Sequence, residues 1–197
     1  MNFSASDLIK KSAAQILYKE VKKIEWKKTN RQYRGNEYAE EIVKKENASS
    51  ERRGCIVVEN CNLFFCIDML KDNLAVEIKM IENSYEDWYL HSSILQATFY
   101  YTALSKVKTL YTPKFKLKEG YKQEATSIPS NLEFQLWFGD DKYKIFTNED
   151  IYNHYVKKMK LIHDCLNPIN FEDCRKFDNH YKFKEFNLLK PKFKLIS

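Results

Sequence analysis

The chain is poor in the residues that break structure: four glycines and four prolines in 197 residues. That excludes a collagen-like, linker-like or loop-dominated protein. So few glycines also argue against a dinucleotide-binding fold. No G-x-x-x-x-G-K-[ST] loop occurs, so a P-loop ATPase is not expected. No run of 18 apolar residues occurs, so no membrane span is expected. The opening "MNFSASDLIKK" carries no apolar stretch of the kind a secretory signal needs. The five cysteines, Cys55, Cys61, Cys66, Cys165 and Cys174, are odd in number, irregular in spacing and include no CxxC pair. A zinc ribbon is therefore not expected, and reduced thiols in a cytoplasm are the simplest reading.

What is present is apolar and aromatic material, 44% and 15% of residues, enough for one globular domain over 1–197. Its last part, about 166–197, reads as a basic, aromatic C-terminal extension. The net charge of +6 is unevenly placed. Residues 10–34 carry 9 basic and 2 acidic side chains, and residues 175–197 carry 7 and 2. With Asp7 alone charged in 1–9, residues 35–174 hold a net −5. Basic ends around an acidic centre fit a polyanion groove over a carboxylate metal site. Ordinary solvated lysines on helix faces account for the same pattern.

The apolar periodicity predicts a helix over 4–24, capped by Ser4 or Ser6, then a polar break around Gly35. A second helix follows over 36–47, burying Tyr38, Ile42 and Val43, and "NASSERRG" reads as a loop. Strands are expected over 55–59, 62–70 and 73–81, and a long helix over 85–105 with Glu86 and Asp87 in its first turn. That helix would cross over to a strand in "VKTLYTPKF". "NLEFQLWFG" and "DDKYKIF" read as a further hairpin, and a helix capped by Thr147 or Asn148 follows. The order predicts an α/β or α+β domain.

The stretch "CIDMLKDNLAVEIK" holds the candidate chemistry. A two-residue turn at Asp72-Asn73 sets a hairpin register in which paired numbers sum to 145. Asp68 then lies opposite Glu77 and Cys66 opposite Lys79, so one face carries Asp68, Glu77 and Lys79. The other face carries Phe65, Ile67, Met69, Val76, Ile78 and Met80 as a core face. Two carboxylates at cross-strand distance favour a cation between them. A hard divalent ion such as Mg²⁺ suits this oxygen set, with the Ile78 carbonyl as a further ligand. Lys79 would orient an attacking water or stabilise charge on a scissile phosphate. An exposed strand face with a Glu–Lys pair fits the hairpin geometry equally well.

Asp68 followed by Glu77-Ile78-Lys79, downstream of a Glu-rich segment, resembles the D…(D/E)xK core of the PD-(D/E)XK nuclease superfamily. "QATFYY" places Gln96 and Tyr100 at i and i+4 on one helix face. It resembles the QxxxY motif of the RecB-like and Cas4-like branch. "YRGNEYAEE" resembles that branch's first motif. The resemblance spans roughly residues 4 to 104. It implies a restriction-endonuclease-like core, a mixed central sheet flanked by helices. It also implies Mg²⁺ or Mn²⁺ at Glu40, Asp68, Glu77 and the Ile78 carbonyl, with Glu37 and Glu41 as rivals of Glu40. Lys79 would assist hydrolysis, and Gln96 and Tyr100 would position the site. The branch's N-terminal cysteine and C-terminal cysteine triplet have no counterparts here, so no iron–sulfur cluster is expected. Glutamate or alanine in place of the first-motif histidine moves the reading towards phage-exonuclease-like relatives.

The function implied is a metal-dependent DNA nuclease, exonuclease favoured over endonuclease, in a microbial or phage-infected cytoplasm. Its partner would be single- or double-stranded DNA, with a protein complex or homo-oligomer as a further expectation. A nuclease-fold protein that only binds or inhibits is the rival from another class, and an RNase a third. His91, His154, His163 and His180 read as structural or exposed. The Lys–Phe–Tyr tail would stack bases and meet phosphates, or pack inward as a terminal element. Trp26, beside Lys27, Lys28, Arg31 and Arg34, would border the DNA path.

Overall fold

Two tight hairpins organise the sheet. β2 (Ser49–Val58) turns into β3 (Cys61–Lys71), and β3 into β4 (Leu74–Lys79). Glu59 and Asp72 adopt positive φ at the two turns, 53° and 50°. The computed structural model describes residues 1–81, 87–112, 124–181 and 185–196. Among these, β1 (Asn2–Ser4), β5 (Thr109–Tyr111), β6 (Ala125–Ser127), β7 (Glu133–Phe138), β8 (Asp141–Ile145) and β9 (Phe193–Leu195) complete one open sheet. Its order is β6-β5-β2-β3-β4-β7-β8-β9, with β1 on β3 off this path. The sheet is mixed: β1/β3 and β4/β7 pair in parallel and the other neighbours antiparallel. The domain is therefore α/β, with helices flanking the sheet.

The register of β3 on β4 pairs Met69 with Val76, Leu70 with Ala75 and Lys71 with Leu74. These are the pairs that an Asp72-Asn73 turn requires. The expected single core face is divided, however. Phe65 and Ile67 belong to the main core, whereas Met69, Val76 and Ile78 form a smaller cluster with Val43. Met80 belongs to neither and lines a cleft instead. An 11-residue strand twists along its length, so residues of one parity do not face one layer throughout.

The N-terminal helix is broken. α1 (Ala5–Lys10) ends at Lys11, and α2 (Ala13–Lys22) starts from Ser12. Ser12 and Gln15 form a reciprocal capping box, and Asp178 accepts from the Ala13 and Ala14 N–H groups at 2.7 and 3.0 Å. Lys158 takes up the end of α1, donating to the Leu8 and Lys11 carbonyls at 2.7 Å each. These side chains satisfy groups that a helix end leaves unpaired, so two short helices outcompete one long one.

α3 (Asn30–Lys45) begins earlier than the periodicity suggests. Thr29 and Gln32 form a second capping box, and Gly35 lies inside the helix instead of breaking it. α3 covers the smaller cluster through Val43, with Tyr38 and Ile42 half-buried beside it. The segment read as a loop, "NASSERRG", supplies the first half of β2 from Ser49 onward.

α4 (Asp87–Leu104) is apolar around most of its circumference, as a helix through a core must be. It carries the chain past β3 and β2 to β5. Glu86, and residues 113–115 of the strand expected beyond 107, lie outside the described residues. α5 (Glu149–Asp164) starts where Asn148 Oδ1 accepts from the Asp150 and Ile151 N–H groups. The segment read as a basic extension contains α6 (Phe171–Tyr181), α7 (Glu185–Leu189) and β9, which pairs with β8 at the sheet edge. Among the described residues no helix is long and apolar enough to cross a membrane.

Candidate active site

One edge of β3 pairs with β2 along nearly its whole length. The other edge is shared: β1 takes residues 62–64 and β4 takes 69–71. Between them, residues 65–68 have no strand partner on that edge among the described residues. The β3/β4 ladder stops at Met69↔Val76, one pair short of Asp68 and Glu77. Beyond it, Asp68 Oδ2 accepts from the Ile78 backbone N–H at 2.8 Å. α4 closes over this opening. Tyr100 packs on Phe65 with ring centroids 5.8 Å apart. Phe65 in turn lies over Gly54, where an added Cβ would stand 2.1 Å from the ring.

The opening forms the base of a cleft of about 410 Å³. Asp68, Glu77, Ile78, Lys79, Gln96 and Tyr100 all line it, so the hairpin and α4 bring the expected residues together. Glu40 of α3 lines the same cleft from its exposed face, whereas Glu37 and Glu41 do not. Among the described residues no three His, Cys, Asp or Glu side chains stand close enough to hold an ion together. Glu40 thus shares the cleft without joining Asp68 and Glu77 at its base. Among the described residues no histidine lines it; His91 stacks on Phe186 and His154 bonds Glu185 at 2.7 Å. The His180 side chain lies outside the described residues. Trp26 sits apart from the cleft, its ring under the ammonium groups of Lys11 and Lys19.

Glu77 is 2% exposed and hydrogen-bonded from two sides. Lys79 Nζ donates to Oε1, and Gln96 Nε2 donates to the same oxygen at 2.7 Å. Gln96 Nε2 also reaches the Tyr100 hydroxyl at 3.0 Å. Glu77 Oε2 and Gln96 Oε1 are buried with no partner. A buried carboxylate oxygen without a donor is costly unless something else satisfies it.

Burial, and then the Asp68 charge, push the Glu77 carboxyl up to about 7, against the pull of Lys79 and Lys10. Burial alone would lower Lys79, but Glu77 and Asp68 outweigh it and hold the ammonium above the ordinary lysine range. The pair is therefore asymmetric: the cation is secured and the carboxylate penalised. Burial and the neighbouring Asp68 thus disfavour the charged form of Glu77. Burial, then Glu77, raise the Tyr100 hydroxyl, which stays neutral.

Two cleft residues escape the sequence patterns. Glu51 stands in β2 between Ser50↔Met69 and Arg52↔Ile67, level with Asp68. After burial, the largest influence raising the neighbouring Cys66 thiol is Glu51, followed by Asp68 and Glu77. The hairpin itself held the signal, since a partner matching all of β3 must reach back to Ser49. Lys10, in the last turn of α1, also lines the cleft. Its side chain is exposed, yet the cleft wall and then Lys79 push its ammonium down to about 8.

No family model, curated protein or solved structure matches the chain.

Proposed function

We propose that this chain is a metal-dependent DNA nuclease with a restriction-endonuclease-like core of the PD-(D/E)XK kind. One observation carries the reading. The buried Glu77, with Oε2 unpartnered, shares a cleft with Asp68 and Ile78, and its other oxygen is held by Lys79 and Gln96. An exposed strand face, the alternative for the same residues, does not account for a glutamate that is 2% exposed.

The donor set fits a hard cation: two carboxylates and a carbonyl, all oxygen. Asp68, Glu77 and the Ile78 carbonyl would hold Mg²⁺ or Mn²⁺, with Glu40 or Glu51 of the same cleft as a further ligand. When bound, such an ion supplies Lewis-acid polarisation of a phosphate oxygen and eases deprotonation of water. The remaining work falls to the chain. Lys79 is cationic at neutral pH, so it acts as a donor to developing phosphate charge and not as a base. Gln96 fixes the Glu77 rotamer and is steadied by Tyr100. In hydrolysis, water adds to phosphorus as the bond to one sugar oxygen breaks, and the departing oxygen takes a proton.

The test is cleavage of single- and double-stranded DNA with Mn²⁺ by the wild type, Asp68→Ala and Lys79→Ala. Wild-type cleavage lost in both variants is expected; metal-dependent cleavage that survives both would sink the reading. A second reading is a nuclease-fold protein that binds without cutting. It is favoured by the failure of Glu40 to close on Asp68 and Glu77. Calorimetry with Mn²⁺ separates the two, since only the nuclease needs binding that depends on Asp68 and Glu77.

A further inference from the structure

Among the described residues the cleft carries four basic and four acidic side chains, and they are not mixed at random. Glu51, Asp68 and Glu77 lie towards its base. Of the bases, Lys79 is neutralised by Glu77. Lys28 lies near Asn36 and over the Tyr33 ring. The two that remain, Lys10 and Arg31, are exposed and come from different elements. Among the described residues neither has a carboxylate within ion-pair distance.

Both are held in place. Arg31 stands in the first turn of the 16-residue α3, its guanidinium 5.1 Å from the Tyr89 ring centroid. Tyr89 belongs to the first turn of α4, so this contact ties the starts of α3 and α4 together at the cleft. Lys10 occupies the last turn of α1, and Lys158 fixes that turn by bonding the Leu8 and Lys11 carbonyls from within the core. The buried Lys158 thereby acts as a positioning residue for Lys10.

We infer that Lys10 and Arg31 form a phosphate clamp, binding backbone phosphate of a nucleic-acid strand at the mouth of the cleft whose base holds Asp68, Glu77 and Lys79. The substrate class rests on the nuclease reading, but the clamp is a claim about binding alone. Two cations with no ion pair among the described residues are what a phosphodiester backbone needs to approach an acidic base. Each such contact releases counterions, so it leaves a signature in the salt dependence of binding.

The experiment is fluorescence anisotropy of a labelled single-stranded oligonucleotide, titrated without divalent metal from low to physiological salt. Wild type, Lys10→Met, Arg31→Met and the control Lys176→Met are compared, the last removing an exposed cation on α6. Each clamp variant is expected to flatten the slope of log K against log salt by about 0.7. Each should weaken binding several-fold at low salt, and Arg31→Met should leave Mn²⁺ calorimetry at Asp68 and Glu77 unchanged. Lys176→Met should bind as the wild type does. Lys158→Met should lose binding as Lys10→Met does, with no further loss in the double variant. Wild-type salt slopes in both clamp variants, or no DNA binding by the wild type, would overturn the inference. A flattened slope together with no cleavage by the wild type would leave the clamp standing and reject the nuclease.

Discussion

Asp68 Oδ2 accepts the Ile78 backbone N–H at 2.8 Å, at the point where main-chain pairing between β3 and β4 has ended. One carboxylate oxygen thus replaces a strand partner while the side chain lines the cleft. Structure and chemistry are separable at this position. Asp68→Asn retains a carbonyl oxygen for Ile78 and should be more stable than Asp68→Ala. Asp68→Ala leaves the Ile78 N–H unpaired and should cost about 1–3 kcal/mol. Both should lose Mn²⁺ binding and cleavage. Urea unfolding beside calorimetry makes the comparison; equal stability in the two variants would show that the bond to Ile78 contributes nothing.

Glu77 sets a pH dependence. Its folded pKa of about 7 lies above the ordinary glutamate value of 4.5. The folded state therefore holds its proton more tightly than the unfolded chain. In metal-free protein this group makes stability fall as pH rises from about 4.5 to about 7. Over the same window protons compete with the cation, so Mn²⁺ affinity should climb with pH and level off above about 7. Glu77→Gln should remove both trends. Calorimetry at several pH values reads the effect, and an affinity flat from pH 5.5 to 8 would contradict it.

The hairpin register was legible because it rests on local rules: strand alternation, a turn residue that tolerates positive φ, and two-residue spacing. Asp68, Glu77 and Lys79 could be placed on one face for that reason; helical spacing put Gln96 and Tyr100 on one face of a helix, and only the resemblance to the QxxxY motif joined them to the same site. Glu51 was hidden because Asn, Ser and Gly in "NASSERRG" favour a loop locally. Pairing with all of β3 overrides that preference, as tertiary contacts commonly do in strands. The break after Lys10 was hidden for a different reason. Two of the side chains that cap it, Lys158 and Asp178, lie more than 140 residues away in the chain and leave no mark on local periodicity. The division of the core into two clusters follows from strand twist, which a two-fold pattern cannot express.

The Glu77–Lys79 pair is expected to be a liability for stability that its chemistry justifies. Lys79 is 12% and Glu77 2% exposed at the side chain. Desolvating two charges is only partly offset by their attraction, so apolar or neutral replacements of buried pairs are often neutral or stabilising by about 1–4 kcal/mol. The double variant Glu77→Gln/Lys79→Met should therefore match or exceed the wild type in thermal midpoint. Lys79→Met alone leaves an unpaired buried carboxylate and should fall below it at pH 8. Both variants should be inactive. A double variant less stable than Lys79→Met would show instead that the ion pair holds the hairpin together.

Two glycines near the cleft should respond in opposite directions. Gly54 faces the Phe65 ring, and an added Cβ would lie 2.1 Å from it. Phe65 is 2% exposed and rests on Tyr100, so it cannot retreat without moving the α4 residue that steadies Gln96. Gly54→Ala should thus destabilise by about 1–3 kcal/mol, the usual penalty of overpacking. It should also lower activity by disturbing Gln96 and, through it, Glu77. Gly35 lies within α3 with nothing inside 4 Å of an added Cβ. Gly35→Ala should stabilise by about 0.5–1 kcal/mol through helix propensity. Thermal unfolding of the two single variants decides the matter. A stabilised Gly54→Ala would mean that Phe65 is free to move, and that Tyr100 is not held by it.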